Sequence, residues 1–547
     1  MKKCSLASLL KFFFTTIISL IFLQLPSFGQ TAKKTGSAND WITFNRTYNG
    51  DRYSPLKQVT PANVGKLHLL HTFDMGSDAS SNQSGPVVID GIMYFATDTV
   101  TYAIDAATGV LKWKRKRDVA HPKGLGVNRG VAYYEGKLFR GASDTHVFAL
   151  NASDGKIIWD VPLDEADLPG ASIPMAPIAW NGMVFIGHAG GDNVGVTGHV
   201  YALDVNDGHK VWKFNVVPDD ANNAKNWPSA AKGIPLSGGC FWTSFSLDPE
   251  NGILFVPAGN PAPDFDVEVR GGDNLYTNCL IALDTKTGKM LGYKQLVKKD
   301  LHDWDVSTAP VLITTKAGLP IVASANKDGL LTVVDRSSLK MRGGALNPSE
   351  AFRLIYSVPT TVRENVELPM SRDQFTYFKP GILGGSEWNG AAYHPGLDLI
   401  YTGAVDWGVA VKLPPLDSAR VAPEPGAEWL GGKIKFDPAP QARGWITAFN
   451  AKDGSVRWKF QAPAPVLAGV TPTAGGVVFS AAQNGDVYGF DAQTGKILWK
   501  TSTSLPNGGG VVSYAVNGKQ YIAVAAGLNS GLWPNRSKVS RMLIYGL

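Results

Sequence analysis

Cysteine is scarce in this chain, with three residues in 547, and the CxxCH spacing that attaches a haem covalently does not occur. A small disulfide-knit scaffold and a chain carrying its own covalent haem are both excluded. Charge is scarce as well: Asp, Glu, Lys and Arg make up 18% of the residues. The net charge of +6 is spread along the sequence without a basic block dense enough to follow a nucleic-acid backbone. What is abundant is hydrophobic residues at 44%, 60 glycines, 34 prolines and 15 tryptophans. That mixture describes a turn-rich, well-packed chain and excludes intrinsic disorder.

The first residues, "MKKCSLASLLKFFFTTIISLIFLQLPSFGQ", place two lysines before an apolar run and end on small residues at Ser27 and Gly29. This pattern predicts a secretory signal peptide over residues 1–29, cut near Gly29, with an uncleaved anchor as the alternative. Cys4 precedes the apolar run, which is the wrong side for lipid attachment. Cleavage leaves Cys240 and Cys279, which can pair or remain buried thiols in a compartment that permits disulfides.

One short pattern recurs. It reads "AIDAATGVLKW" at 103–113, "ALNASDGKIIW" at 149–159, "ALDVNDGHKVW" at 202–212 and "ALDTKTGKMLG" at 282–292. It returns as "AFNAKDGSVRW" at 448–458 and "GFDAQTGKILW" at 489–499, with a degenerate copy, "VVDRSSLKM", at 333–341. Each copy follows a short apolar strand; Asp or Asn then starts an Asx turn, Gly supplies positive φ, and Trp returns on the next strand. Units of about 40–55 residues built this way predict radially arranged four-stranded sheets, a β-propeller. Seven copies are recognisable, and "SEWNGAAYHPGLDLIYTGAVD" at 386–406 is assigned as an eighth, disguised one. The expected fold is therefore all-β, one eight-bladed propeller over residues 30–547.

The tryptophan-bearing repeat resembles the docking motif of the quinoprotein alcohol dehydrogenases, eight-bladed enzymes that use pyrroloquinoline quinone (PQQ) and a divalent metal. The resemblance runs from "DWITFNRTYNG" at 40–50 to "VNGKQYIAVAAG" at 516–527. Three insertions carry it further. In "GGCFWTSFSLDPENGILFVPAGNPAPDFD", 238–266, Trp242 matches the family's aromatic floor under the quinone and Asn260, ahead of Pro-x-Pro, its metal ligand. A flat tricyclic ring needs a flat wall, and a hard cation needs oxygen ligands. In "LHDWDVSTAP", 301–310, Asp305 matches the general base, although Asp303 or Asp305 could instead cap a turn. Two positions on, lanthanide-dependent relatives tend to carry another Asp; Ser307 stands here and favours calcium over a lanthanide.

In "GHAGGDNVGVTGHVYALD", 187–204, the family's usual Glu ligand is missing. Asn193 occupies its place and Asp192 lies beside it; charge balance prefers Asp192, with Asn193 as the alternative. Arg129 in "VNRG" and Lys327 in "ANKDG" resemble the cations that face the cofactor's carboxylates and quinone oxygens. "GGSEWNGAAYHP", 384–395, resembles another cofactor-facing loop and nominates Trp388 and Asn389, with Glu387 where relatives often have Asn. Lys123 and Gly124 replace the adjacent cysteines that cover the quinone in many relatives.

The resemblance thus implies a periplasmic enzyme oxidising alcohol-type substrates and passing electrons to a separate cytochrome or other acceptor. Two other classes stay open: a catalytically silent propeller that scaffolds envelope protein assembly, and a quinoprotein acting on sugars or a polymer.

Overall fold

The computed structural model describes residues 37–77, 80–119, 124–218, 225–340 and 347–547. The expected signal peptide and Lys123 lie outside these residues. Eight four-stranded antiparallel sheets form the body, which is the eight-bladed propeller the repeats predict. A ninth sheet of three short strands, Thr376–Phe378, Val409–Lys412 and Lys433–Phe436, sits on an excursion that the repeats gave no sign of.

The repeat works as a staple between neighbouring blades. In the unit at 103–113, Asp105 Oδ1 accepts from the backbone N–H groups of Ala107 and Thr108 at 3.1 and 3.0 Å, which fixes the turn before Gly109. The indole of Trp113 then crosses to the next unit, where Nε1 donates to Ala152 O at 3.0 Å and the ring lies over Gly155. Trp159 does the same to Val205 O and Gly208, Trp212 to Thr285 O and Gly288, and Trp458 to Ala492 O and Gly495. The turn glycine is required twice over: its φ is positive, +77° at Gly208, and a Cβ there would stand 2.8 Å from the Trp159 ring. Each staple combines buried aromatic area with a satisfied indole N–H.

The two imperfect repeats have physical explanations. Gly292 stands where a Trp would, and the insertion before Phe352 fills the place: a Cβ on Gly292 would lie 2.2 Å from that of Ala351. In the degenerate unit Tyr356 replaces Trp, with its ring over Gly454 and its hydroxyl donating to Ala451 O at 3.0 Å.

The eighth blade differs from the sequence assignment. Residues 386–406 are the inner half of the blade that the 448–458 repeat completes: Ala391–His394 and Leu399–Asp406 pair onward to Arg443–Asn450 and Val456–Ala462. The three-stranded sheet and its connections part the two halves, so each half looks like a separate unit in the sequence. The true eighth blade has no repeat motif. It joins His68–Asp74 to Asn507–Val516, Lys519–Ala526 and Arg541–Gly546, so both ends of the described chain share one sheet. Trp499 staples the preceding blade to it through Leu67 O at 3.1 Å.

Candidate active site

Long loops from several blades converge on a cavity of about 280 Å³ walled by Asp192, Asn193, Trp242, Asn260, Asp305 and a set of glycines that includes Gly124. Glycine is needed at Gly259, because a Cβ there would come within 2.6 Å of Asp305 Oδ1.

Asp305 is buried and held from both sides. Oδ1 accepts from the backbone N–H of Asn260 at 3.1 Å, and Oδ2 accepts from Lys327 Nζ at 2.8 Å. These partners are distant in sequence, so Asp305 is no local turn cap. Asp300 does that work, accepting from the N–H groups of His302 and Trp304 at 2.9 Å each. Lys327 also reaches Asp303 Oδ1 at 3.2 Å and stands 5.9 Å from the centre of the Trp242 ring. Burial alone would lower the Lys327 ammonium, but Asp303, Asp305 and Glu387 together hold it well above the ordinary lysine range.

Trp242 is half-buried and serves no turn glycine, unlike the staple tryptophans. Its neighbour is Arg129, whose guanidinium lies 5.0 Å from the Trp242 ring and 4.8 Å from that of Trp388, and which donates to Trp242 O at 2.8 Å. Arg129 Nε has no partner among the described residues, and burial lowers this guanidinium to about 9. Trp388 is anchored through its indole N–H to Gly508 O at 2.7 Å. Asn389 points its amide into the blade, donating to Leu467 O at 2.8 Å and Gly508 O at 3.1 Å.

Asp192 and Asn193 diverge. The Asp192 carboxylate accepts from Asn260 Nδ2 at 3.3 Å, whereas Asn193 Nδ2 donates to Gly170 O at 3.1 Å. Two further acids join Asp192: one oxygen each of Asp192, Asp264 and Asp303 lie within 4.8 Å of one another. Both oxygens of the fully buried Asp264 lack a hydrogen-bond partner among the described residues. Burial, reinforced by the crowding of like charges, pushes Asp192 up to about 6 and Asp264 and Asp303 well above the carboxylate range. Glu387 is also buried, and is pushed up to about 8. Buried carboxylates with unused oxygens are the donor set that a hard cation satisfies.

Sequence reasoning brought together Asp192, Trp242, Asn260, Asp305, Lys327, Arg129 and Trp388. It missed Asp264 and gave Asp303 only a turn role. A carboxylate two residues beyond Asn260-Pro-Ala, where the loop must double back to the same cavity, was the available signal. Ser307 donates to Ser386 O at 2.6 Å and belongs to the blade. Cys240 and Cys279 are both buried free thiols, so they do not pair.

An eight-bladed propeller whose axial loops join a carboxylate, a lysine, an aromatic wall and a cluster of buried acids is the architecture of a quinoprotein-type oxidoreductase. The comparisons with known proteins give the family. Residues 41–340 match the family described as glucose/ethanol/alcohol dehydrogenase, beta-propeller domain. The quinohemoprotein alcohol dehydrogenase ADH-IIG of Pseudomonas putida is 30% identical, over 89% of this chain and 72% of that protein. The quinoprotein alcohol dehydrogenase PedH of the same species is 28% identical, over 87% and 84%. Among solved structures, the quinohemoprotein alcohol dehydrogenase of Comamonas testosteroni superposes with a TM-score of 0.82 at 26% identity, covering 94% of this chain and 81% of that one. The chain belongs to the PQQ-dependent alcohol dehydrogenase family and is a quinoprotein alcohol dehydrogenase-like oxidoreductase. Residues 442–533 also match the outer membrane protein assembly factor BamB, but that stretch holds blade strands, two of the repeat copies among them, and none of the site residues above. No helix among the described residues is long and apolar enough to cross a membrane.

Proposed function

We propose that this protein is a periplasmic dehydrogenase that oxidises a small alcohol, with PQQ and calcium in the cavity, and passes the electrons to a separate acceptor. The observation that carries this is the placement of Asp305: a buried carboxylate on the cavity wall, fixed by Asn260 N and Lys327 Nζ, beside the half-buried Trp242 that also lines the cavity. The donor set fits these groups. Asp264 offers two unpartnered oxygens to a hard cation, with a carboxylate oxygen each of Asp192 and Asp303 beside it, and Arg129 offers an unpartnered buried N–H to an anionic cofactor.

Asp192, Asn260 and Asp305 would hold the calcium ion, with Asp264 and Asp303 supplying further negative charge close by. Trp242 would form the flat wall for the quinone, and Arg129 would pair with its carboxylates. The bound quinone supplies a two-electron oxidant for the carbinol carbon. Asp305 takes the proton of the substrate hydroxyl on its carboxylate. Lys327, charged and pinned by Asp303 and Asp305, orients that carboxylate and presents positive charge toward the Trp242 face. Gly124, at one of the two positions where many relatives carry adjacent cysteines, lines this cavity.

The test is to add PQQ with calcium, or with a lanthanide in parallel, and follow bound-quinone absorbance together with dye reduction by primary alcohols, aldehydes and sugars. Asp305→Asn should keep the quinone and lower kcat by about 10²–10⁴-fold, the range for loss of a general base. A folded protein that binds no quinone with either metal overturns the reading. Turnover confined to sugars moves the substrate class and keeps the chemistry.

A further inference from the structure

A second cluster lies at the base of the loop that carries Asp192, and it has different chemistry. His188 and His199 stand at the two ends of that loop, and both face Glu165 from an earlier connection. His199 Nδ1 donates to Glu165 Oε1 at 2.6 Å, His188 Nε2 lies 3.6 Å from the same oxygen, and the two ring nitrogens are 3.4 Å apart. In a tetrahedral site with metal–ligand bonds of about 2.0–2.1 Å, neighbouring donor atoms stand about 3.3–3.4 Å apart. The ring-nitrogen separation already matches, the 3.6 Å separation is close to it, and the third needs the hydrogen bond to open.

The surroundings select the donor atoms. His188 Nδ1 lies 3.2 Å from Ala189 O, which can only accept, and 3.9 Å from Cys240 Sγ, the weaker contact; a proton on Nδ1 satisfies the carbonyl and leaves the lone pair of Nε2 facing the cluster. That is the outer arrangement metal-bound histidines adopt. Tyr201 donates its hydroxyl to Glu165 Oε1 at 2.7 Å and fixes the carboxylate. Glu165 is 3% exposed, yet Oε2 has no hydrogen-bond partner among the described residues. His199 is the partly exposed member and opens the site to solvent. Two imidazoles and one carboxylate suit a borderline transition ion, not calcium, which takes oxygen.

We propose that Glu165, His188 and His199 bind a divalent transition cation of the zinc type, which ties both ends of the 188–199 loop to the Glu165 segment. The site shares no ligand with the Asp192 acids and is independent of the enzymatic reading.

The probe is cobalt(II), titrated into the full-length protein after saturation with calcium, followed by its visible absorption, and then zinc in competition. One cobalt per chain with intense tetrahedral bands, displaced by zinc, is expected. His199→Ala should weaken binding by about 100-fold or more, judged against the 10–100-fold that loss of an outer-shell partner costs. His209→Ala, in the exposed Asp204, Asp207 and His209 group, should leave it unchanged. Zinc-edge X-ray absorption of the unmodified protein needs no variant and should show two imidazoles at about 2.0–2.1 Å. Absence of saturable cobalt binding, an oxygen-only zinc shell, or undiminished affinity in folded His199→Ala each overturns the proposal.

Discussion

At the scale of single residues, the site is held by charges that the fold leaves only partly balanced. Glu387 shows the consequence most directly. Its carboxyl is pushed up to about 8 by burial, against the attraction of Lys327 and Arg129, and Oε1 has no hydrogen-bond partner among the described residues. In the unfolded chain the same group ionises near its ordinary 4.5. Between those values the folded state binds the extra proton, so its stability falls as pH rises from about 5 to 8 and levels off above. Glu387→Gln should therefore stabilise the cofactor-free protein at pH 8, by about 1–3 kcal/mol, and do little at pH 4.5. Urea denaturation at the two pH values checks this; an equal effect at both would mean that Glu387 is ionised in the fold.

Trp242, Asn260 and Asp305 were legible through the resemblance of the insertions at 238–266 and 301–310, Asn260 alone being pinned by prolines. Asp264 was hidden because its meaning depends on a loop doubling back toward Asp192, 72 positions earlier, and no local pattern encodes that approach. The same reason hid Glu165, whose partners lie in another blade connection.

At the scale of the element, the inter-blade staple makes a quantitative claim. Trp159 is buried, donates to Val205 O and covers Gly208. Trp159→Ala should cost about 3–5 kcal/mol, the range for removing a buried large aromatic. Gly208→Ala should cost about 1–3 kcal/mol through its positive φ and the 2.8 Å approach to the ring. The two losses should not add in the double variant, because both break the same contact. Equilibrium unfolding of the two single variants and the double variant reads this directly. The staple was legible because its parts, Asp, Gly and Trp, are fixed within eleven residues. Tyr356 was not, since a tyrosine over Gly454 after an altered turn leaves no such spacing.

For the whole molecule, the count of eight blades was legible but the place of the eighth was not. A strand order that takes its first member from one end of the sequence and the rest from the other has no local signature, whereas the 386–406 segment looked like a blade because it is half of one. In the closing blade, Arg541–Gly546 pairs on one side with His68–Asp74 and on the other with Lys519–Ala526. Deleting residues 541–547 removes an interior strand and leaves two unsatisfied edges. The truncated chain should fail to give a monodisperse folded protein by size exclusion and circular dichroism, while removal of Leu547 alone should be tolerated.

That closure also orders events in time. Synthesis is vectorial, and Arg541–Gly546 emerges more than 460 residues after the strand it locks, so the ring cannot close until nearly the whole propeller has been made. Its opening strand, His68–Asp74, must wait for a partner more than 460 residues downstream, and ring closure becomes a late, long-range step in maturation. Until that strand arrives, the edges it will cover stay exposed, and the unclosed ring is the species most open to wrong pairing.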